Sequence, residues 1–77
     1  MKEKVIEILK GIRSDIDFET EDQLIDGNII DSFDVVSLIG DLTDEFDVDI
    51  TVNDMIPENF NSADAIVALI QRLEDEI

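Results

Sequence analysis

Apolar residues recur at helical spacing in three stretches of the chain. Val5, Ile8, Leu9 and Ile12 fall at i, i+3, i+4 and i+7, which predicts an amphipathic helix over about Lys2–Arg13. Gly11 weakens the last turn of that helix. Val35, Leu38, Ile39, Leu42 and Phe46 form a second stripe, on a helix from about Ser32 to Phe46. Ile66, Leu69, Ile70, Leu73 and Ile77 form a third, on a helix that starts at Ser62 as N-cap with Asp64 in its favourable first turn.

The segments between are less regular. Ser14 to Asp31 holds Ile16, Phe18, Leu24, Ile25, Ile29 and Ile30 without sustained helical or strand periodicity, and Asp26-Gly27-Asn28 is a turn signal. A loop this long in a small domain usually has a functional reason, and its apolar residues are expected to pin it across the helices. Asp47 to Thr51 reads as a short extended exit. Val52 to Ile56 fits one short helical turn, expected to end near Pro57 because the residue before proline avoids helical angles. Short helices are stable only when their apolar faces pack together. The expected fold is all-α: a small four-helix bundle of three longer helices and one short one, in a single domain over residues 1–77.

Composition narrows the chemistry. The 77 residues include no cysteine and no histidine. That removes disulfides, thiolate metal sites, the cysteine nucleophile and the commonest general base. Lys and Arg total 5 against 21 Asp and Glu, a formal net charge of −16. Such a chain repels nucleic acid and anionic membranes, and its partners should present basic patches. Acidity on this scale also accompanies disorder, but 44% hydrophobic residues in periodic order argue for a folded domain. No apolar run approaches the roughly 18 residues of a membrane span, and Met1-Lys2-Glu3-Lys4 opens no secretory signal. A cytoplasmic monomer without membrane insertion is expected. Asp44, Asp47, Asp49 and Thr51 invite a calcium-loop reading. Counting from Asp47, however, puts Val52 where the loop needs glycine, so only weak divalent binding by clustered carboxylates is expected and no dedicated metal site.

The candidate site lies where the long loop meets the second helix. Asp31 is placed to be an N-cap, with Asp34 as the acidic partner of a capping box. Ser32 then sits in the first turn, outside the buried stripe, beside unpaired N–H groups at the positive end of the helix dipole. A phosphodiester on that hydroxyl is electrostatically favoured. No histidine activates Ser32 and no lysine is near it in sequence, so it is not a nucleophile in its own right. No catalytic residue is expected, and any modification of Ser32 must come from another enzyme.

Gly27-Asn28-Ile29-Ile30-Asp31-Ser32-Phe33-Asp34-Val35-Val36 resembles the phosphopantetheine-attachment segment of acyl carrier proteins. Asp44-Glu45-Phe46-Asp47-Val48-Asp49-Ile50 and Asn61-Ser62-Ala63-Asp64-Ala65-Ile66 are similar to later parts of the same family, in order and at its spacing. The resemblance implies a 4′-phosphopantetheine arm on Ser32, added from coenzyme A by a phosphopantetheinyl transferase that also recognises Asp31. It implies cargo held as a thioester, loaded by an acyl- or aminoacyl-activating ligase and handed to acceptor enzymes with basic docking patches. By position, Phe33 and Val36 would give apolar docking contacts, and Asp34, Asp41, Asp44 and Glu45 would meet basic partner residues. Phe33, Ser37 and Gly40 depart from the pattern of fatty-acid carriers. The run Ile29-Ile30-Asp31-Ser32 is more similar to free-standing D-alanyl carriers.

Plainer readings stand beside these. Ser32 as an ordinary N-terminal helix serine, Phe33 and Val36 packed on the loop, and the acids as a solvated face would together describe an armless acidic module that docks basic partners through the second helix.

Overall fold

A computed structural model describes residues 1–75; Glu76 and Ile77, and with them the expected place of Ile77 on the last apolar face, lie outside the described residues. Four α-helices follow in order: α1 (Lys2–Ile12), α2 (Ser32–Phe46), α3 (Pro57–Phe60) and α4 (Ala63–Asp75). A 3₁₀ turn over Val52–Asp54 precedes α3. The described residues contain no strand. α1 packs on α2 and α4, and α3 packs on α4.

The three apolar stripes meet in one core. Val5 and Leu9 of α1, Leu38 and Leu42 of α2, and Ile66, Leu69 and Ile70 of α4 are buried. Ile8, Ile12, Val35, Ile39, Phe46 and Leu73 pack half-buried around them. Ion pairs link the helices at the rim: Lys2 reaches Asp64 at 3.1 Å and Lys4 reaches Glu45 at 3.8 Å.

The long loop is pinned as its composition requires. Phe18, Leu24 and Ile30 are buried in the same core. Its entry is fixed by Arg13, which donates to the Ile29 carbonyl at 3.0 Å and pairs with Asp15 at 3.4 Å. The hydrogen bond from Arg13, with its charge, holds the Asp15 carboxyl below the usual carboxylate range.

Helix ends follow local chemistry. α2 stops because Asp47 turns into the left-handed region at φ 53°, its N–H bonding the Thr43 carbonyl. Aspartate tolerates that conformation better than most residues. Ser62 caps α4, its Oγ accepting from the Ala65 N–H at 3.0 Å.

One expected element is displaced. The short helical turn expected over Val52–Ile56 is only a 3₁₀ turn through Asp54, and Pro57 opens α3 instead of ending the preceding turn. Proline's missing N–H is harmless at the first helical position, and its fixed φ suits a helix start. Ile56, extended at φ −111° and ψ 149°, obeys the restriction on a residue before proline and becomes the N-cap of α3.

Candidate functional site

Ser32 is the first residue of α2 and is exposed. The turn it belongs to is held by a reciprocal cap. The Asp34 N–H donates to Asp31 Oδ1 at 3.0 Å, and the Asp31 N–H donates to Asp34 Oδ2 at 3.4 Å. The Ser32 hydroxyl therefore sits at the positive end of a 15-residue helix. With no histidine in the chain, it has the placement of an acceptor and lacks the base of a catalytic nucleophile.

Beside Ser32 opens a cleft of about 430 Å³. Ser32, Val35 and Val36 form its α2 side, Ile25, Asn28 and Ile30 its loop side, and Met55, Ile56 and Phe60 the side opposite. The volume falls within the usual range for small-molecule sites, and the lining is mainly apolar. An aliphatic tether attached at Ser32 would meet compatible surface here, with its phosphate outside at the helix terminus.

The sequence-predicted residues divide into groups. Phe33 is 83% and Val36 62% exposed, so neither packs on the loop or core. Asp31, Asp41 and Asp44 are exposed as well. Asp34 is half-buried and engaged in the cap. Glu45 is exposed but paired with Lys4, so a partner's cation must compete for it. Among the described residues no three Asp or Glu side chains gather into a metal-binding group. The side chain of Asp54, by contrast, is taken up locally by the backbone and hydroxyl of Thr51.

Two features escaped the sequence reading. Met55 and Ile56 are each nearly half-exposed and join Val36 at the cleft. Their position outside any helical stripe, just before Pro57, was the available signal. Asn61 is the other: it ties the loop to the α3–α4 junction across more than thirty residues, a pairing that no local pattern reveals.

No protein-family profile matches the chain. Curated relatives do, from end to end. The chain is 32% identical over 82 residues to the D-alanyl carrier protein of Lactococcus lactis subsp. cremoris (strain MG1363), covering 99% of each. It is 30% identical over 82 residues to that of Lactococcus lactis subsp. lactis (strain IL1403), again covering 99% of each. It is 28% identical over 76 residues to that of Lactobacillus acidophilus, covering 97% of this chain and 96% of the relative. With an all-helical bundle, an exposed serine at the start of α2 and relatives that match over their full length, the chain belongs to the acyl/D-alanyl carrier protein family and is a carrier, not itself an enzyme.

Proposed function

We propose that Ser32 bears a 4′-phosphopantetheine arm and that the cargo on it is a D-alanyl group. The observation that carries this reading is the exposure of Ser32 as first residue of a capped helix at the mouth of an apolar cleft. In the attachment step the Ser32 oxygen bonds to the phosphorus of coenzyme A that carries the pantetheine, and the pyrophosphate bond from that phosphorus to the adenosine-side phosphate breaks. Adenosine 3′,5′-bisphosphate leaves, and the hydroxyl proton passes to a base of the transferase. When bound, the arm supplies a flexible tether ending in a thiol that holds the cargo as a thioester.

The relatives' shared name supports D-alanine as cargo. An ammonium group is strongly disfavoured inside the apolar cleft, so on this reading the aminoacyl end stays in solvent, open to the next enzyme.

The partners are the transferase, an ATP-dependent ligase that activates D-alanine, and an acceptor enzyme. Phe33 and Val36, flanked by Asp41 and Asp44 on the exposed side of α2, offer each of them an apolar contact ringed by negative charge. A cytoplasmic location belongs to the same reading, since coenzyme A and ATP are supplied there. Among the described residues no helix is long and apolar enough to cross a membrane.

The test is loading of the arm-bearing protein by a D-alanine-activating ligase with ATP. The expected product is one alanyl group per chain, released by hydroxylamine and missing from Ser32→Ala. Equal loading of Ser32→Ala, or loading by fatty acyl ligases alone, contradicts the proposal. Salt-sensitive binding of basic partners, unchanged by Ser32→Ala in a protein that no transferase modifies, would point to the armless acidic module.

A further inference from the structure

Asn61 lies between α3 and α4, and every polar group it offers to the long loop is used. Its backbone carbonyl accepts from the Leu24 N–H at 2.9 Å. Its side-chain Oδ1 accepts from the Ile25 and Asp26 N–H groups at 3.1 and 3.0 Å, while its Nδ2 donates to Asp26 Oδ2 at 3.0 Å. Two N–H donors aimed at one atom identify that atom as the oxygen, so the amide orientation follows from its partners.

The staple continues toward Ser32. The Leu24 carbonyl accepts from both the Ile29 and the Ile30 N–H at 3.0 Å. Ile30 is buried and directly precedes Asp31, the cap of α2. Asn61 is thus two hydrogen-bonding steps from the entry of the helix whose first residue is Ser32. The same bonds join two walls of the cleft, since Ile25 and Ile30 stand on one side and Ile56 and Phe60, just before Asn61, on the other.

The first turn of a helix is its least supported part, because its N–H groups lack intrahelical partners. A chain that enters this turn from a fixed point keeps the cap closed and the turn formed. We infer that Asn61 is a positioning residue for Ser32. By stapling Leu24–Asp26 it fixes the entry of α2, and so the geometry in which the hydroxyl meets the transferase. The inference rests on the reading that Ser32 receives the arm. It assigns Asn61 no contact with the arm or the transferase.

The test is a charge swap across the staple. Asn61→Asp keeps the acceptor for the Ile25 and Asp26 N–H groups but sets a carboxylate oxygen against the Asp26 carboxylate. Adding Asp26→Asn restores a donor–acceptor pair with its direction reversed and returns the net charge to that of the wild type. Each protein is given coenzyme A and a broad-specificity phosphopantetheinyl transferase. Initial rates are read by intact mass, and amide exchange is followed at residues 24–26 and 29–34.

For Asn61→Asp the expected result is a fall of about 10-fold in kcat. KM should stay within about 2-fold, because Phe33 and Val36 are untouched, and exchange should quicken at both segments. The double variant should return all three to near wild type. An Ile66→Val variant, destabilised in the core, should not reproduce the split between kcat and KM.

Wild-type kcat in Asn61→Asp overturns the inference. So does a double variant that refolds without recovering kcat, or an Ile66→Val variant of equal melting temperature with the same loss. Should Asn61→Asp fail to fold, the double variant alone decides: recovery of fold and kcat supports the staple, and failure of either overturns it. A wild-type protein that gains no mass at Ser32 would instead defeat the attachment reading itself.

Discussion

Asp31 and Asp34 cap α2 reciprocally but unequally: the bond into Asp31 is 3.0 Å and the return bond into Asp34 is 3.4 Å. The common partner at this position is glutamate, one methylene longer, and the shorter aspartate reaches back less well. Asp31→Ala should therefore lower stability by about 1 kcal/mol, a drop of roughly 4–8 °C in melting temperature for a domain of this size. Asp34→Glu should raise stability slightly, by a few tenths of a kcal/mol on the same scale as helix-surface effects. Thermal melts followed by circular dichroism check both. An Asp31→Ala protein as stable as wild type would mean that the cap is not what holds the Ser32 turn.

Phe33 and Val36 invite the opposite experiment. Each is largely exposed, so truncation to alanine should change folding stability by less than about 0.5 kcal/mol. The effect should appear in binding. A buried aromatic anchor is commonly among the few interface residues that each contribute more than about 1 kcal/mol. Phe33→Ala should therefore raise KM for the loading ligase about 10-fold, with little change in kcat. Unchanged KM would place the docking surface elsewhere.

The three glycines make distinct predictions. A methyl group added at Gly11 or Gly40 meets nothing within 4 Å, and both lie inside helices. Alanine at either should stabilise the fold by about 0.5–1 kcal/mol. Gly40 lies on α2, and a partner that approaches its backbone closely would lose affinity for Gly40→Ala but not for Gly11→Ala. At Gly27 a methyl group would stand 2.7 Å from the Gln23 carbonyl oxygen, the acceptor of Gly27's own N–H. Gly27→Ala should cost about 1–3 kcal/mol by forcing that turn open. It should also quicken amide exchange in residues 24–30.

The sequence carried the helices and the site in different ways. Periodicity located α1, α2 and α4 because each has one face in the core, where Val5, Leu38 and Ile66 are completely buried. The position of Ser32 was legible because Asp31 and Asp34 are close enough in sequence for local capping chemistry to apply. Phe33 and Val36 were legible by elimination, as apolar residues off the stripe. Pro57 misled because proline excludes helix before itself yet starts one well, and only packing of Phe60 into the core decides between the two. The Glu45–Lys4 pair and the Asn61 staple were not legible, since each joins segments whose proximity exists only after the helices have packed.

The central claim is that Ser32 takes the arm, and intact-protein mass tests it most directly. The folded protein is incubated with coenzyme A, magnesium and a broad-specificity phosphopantetheinyl transferase, then digested and mapped. One added phosphopantetheine on the peptide containing Ser32, and none on Ser32→Ala, is the result the account predicts. No added mass on well-folded protein, or equal addition to Ser32→Ala, would contradict it.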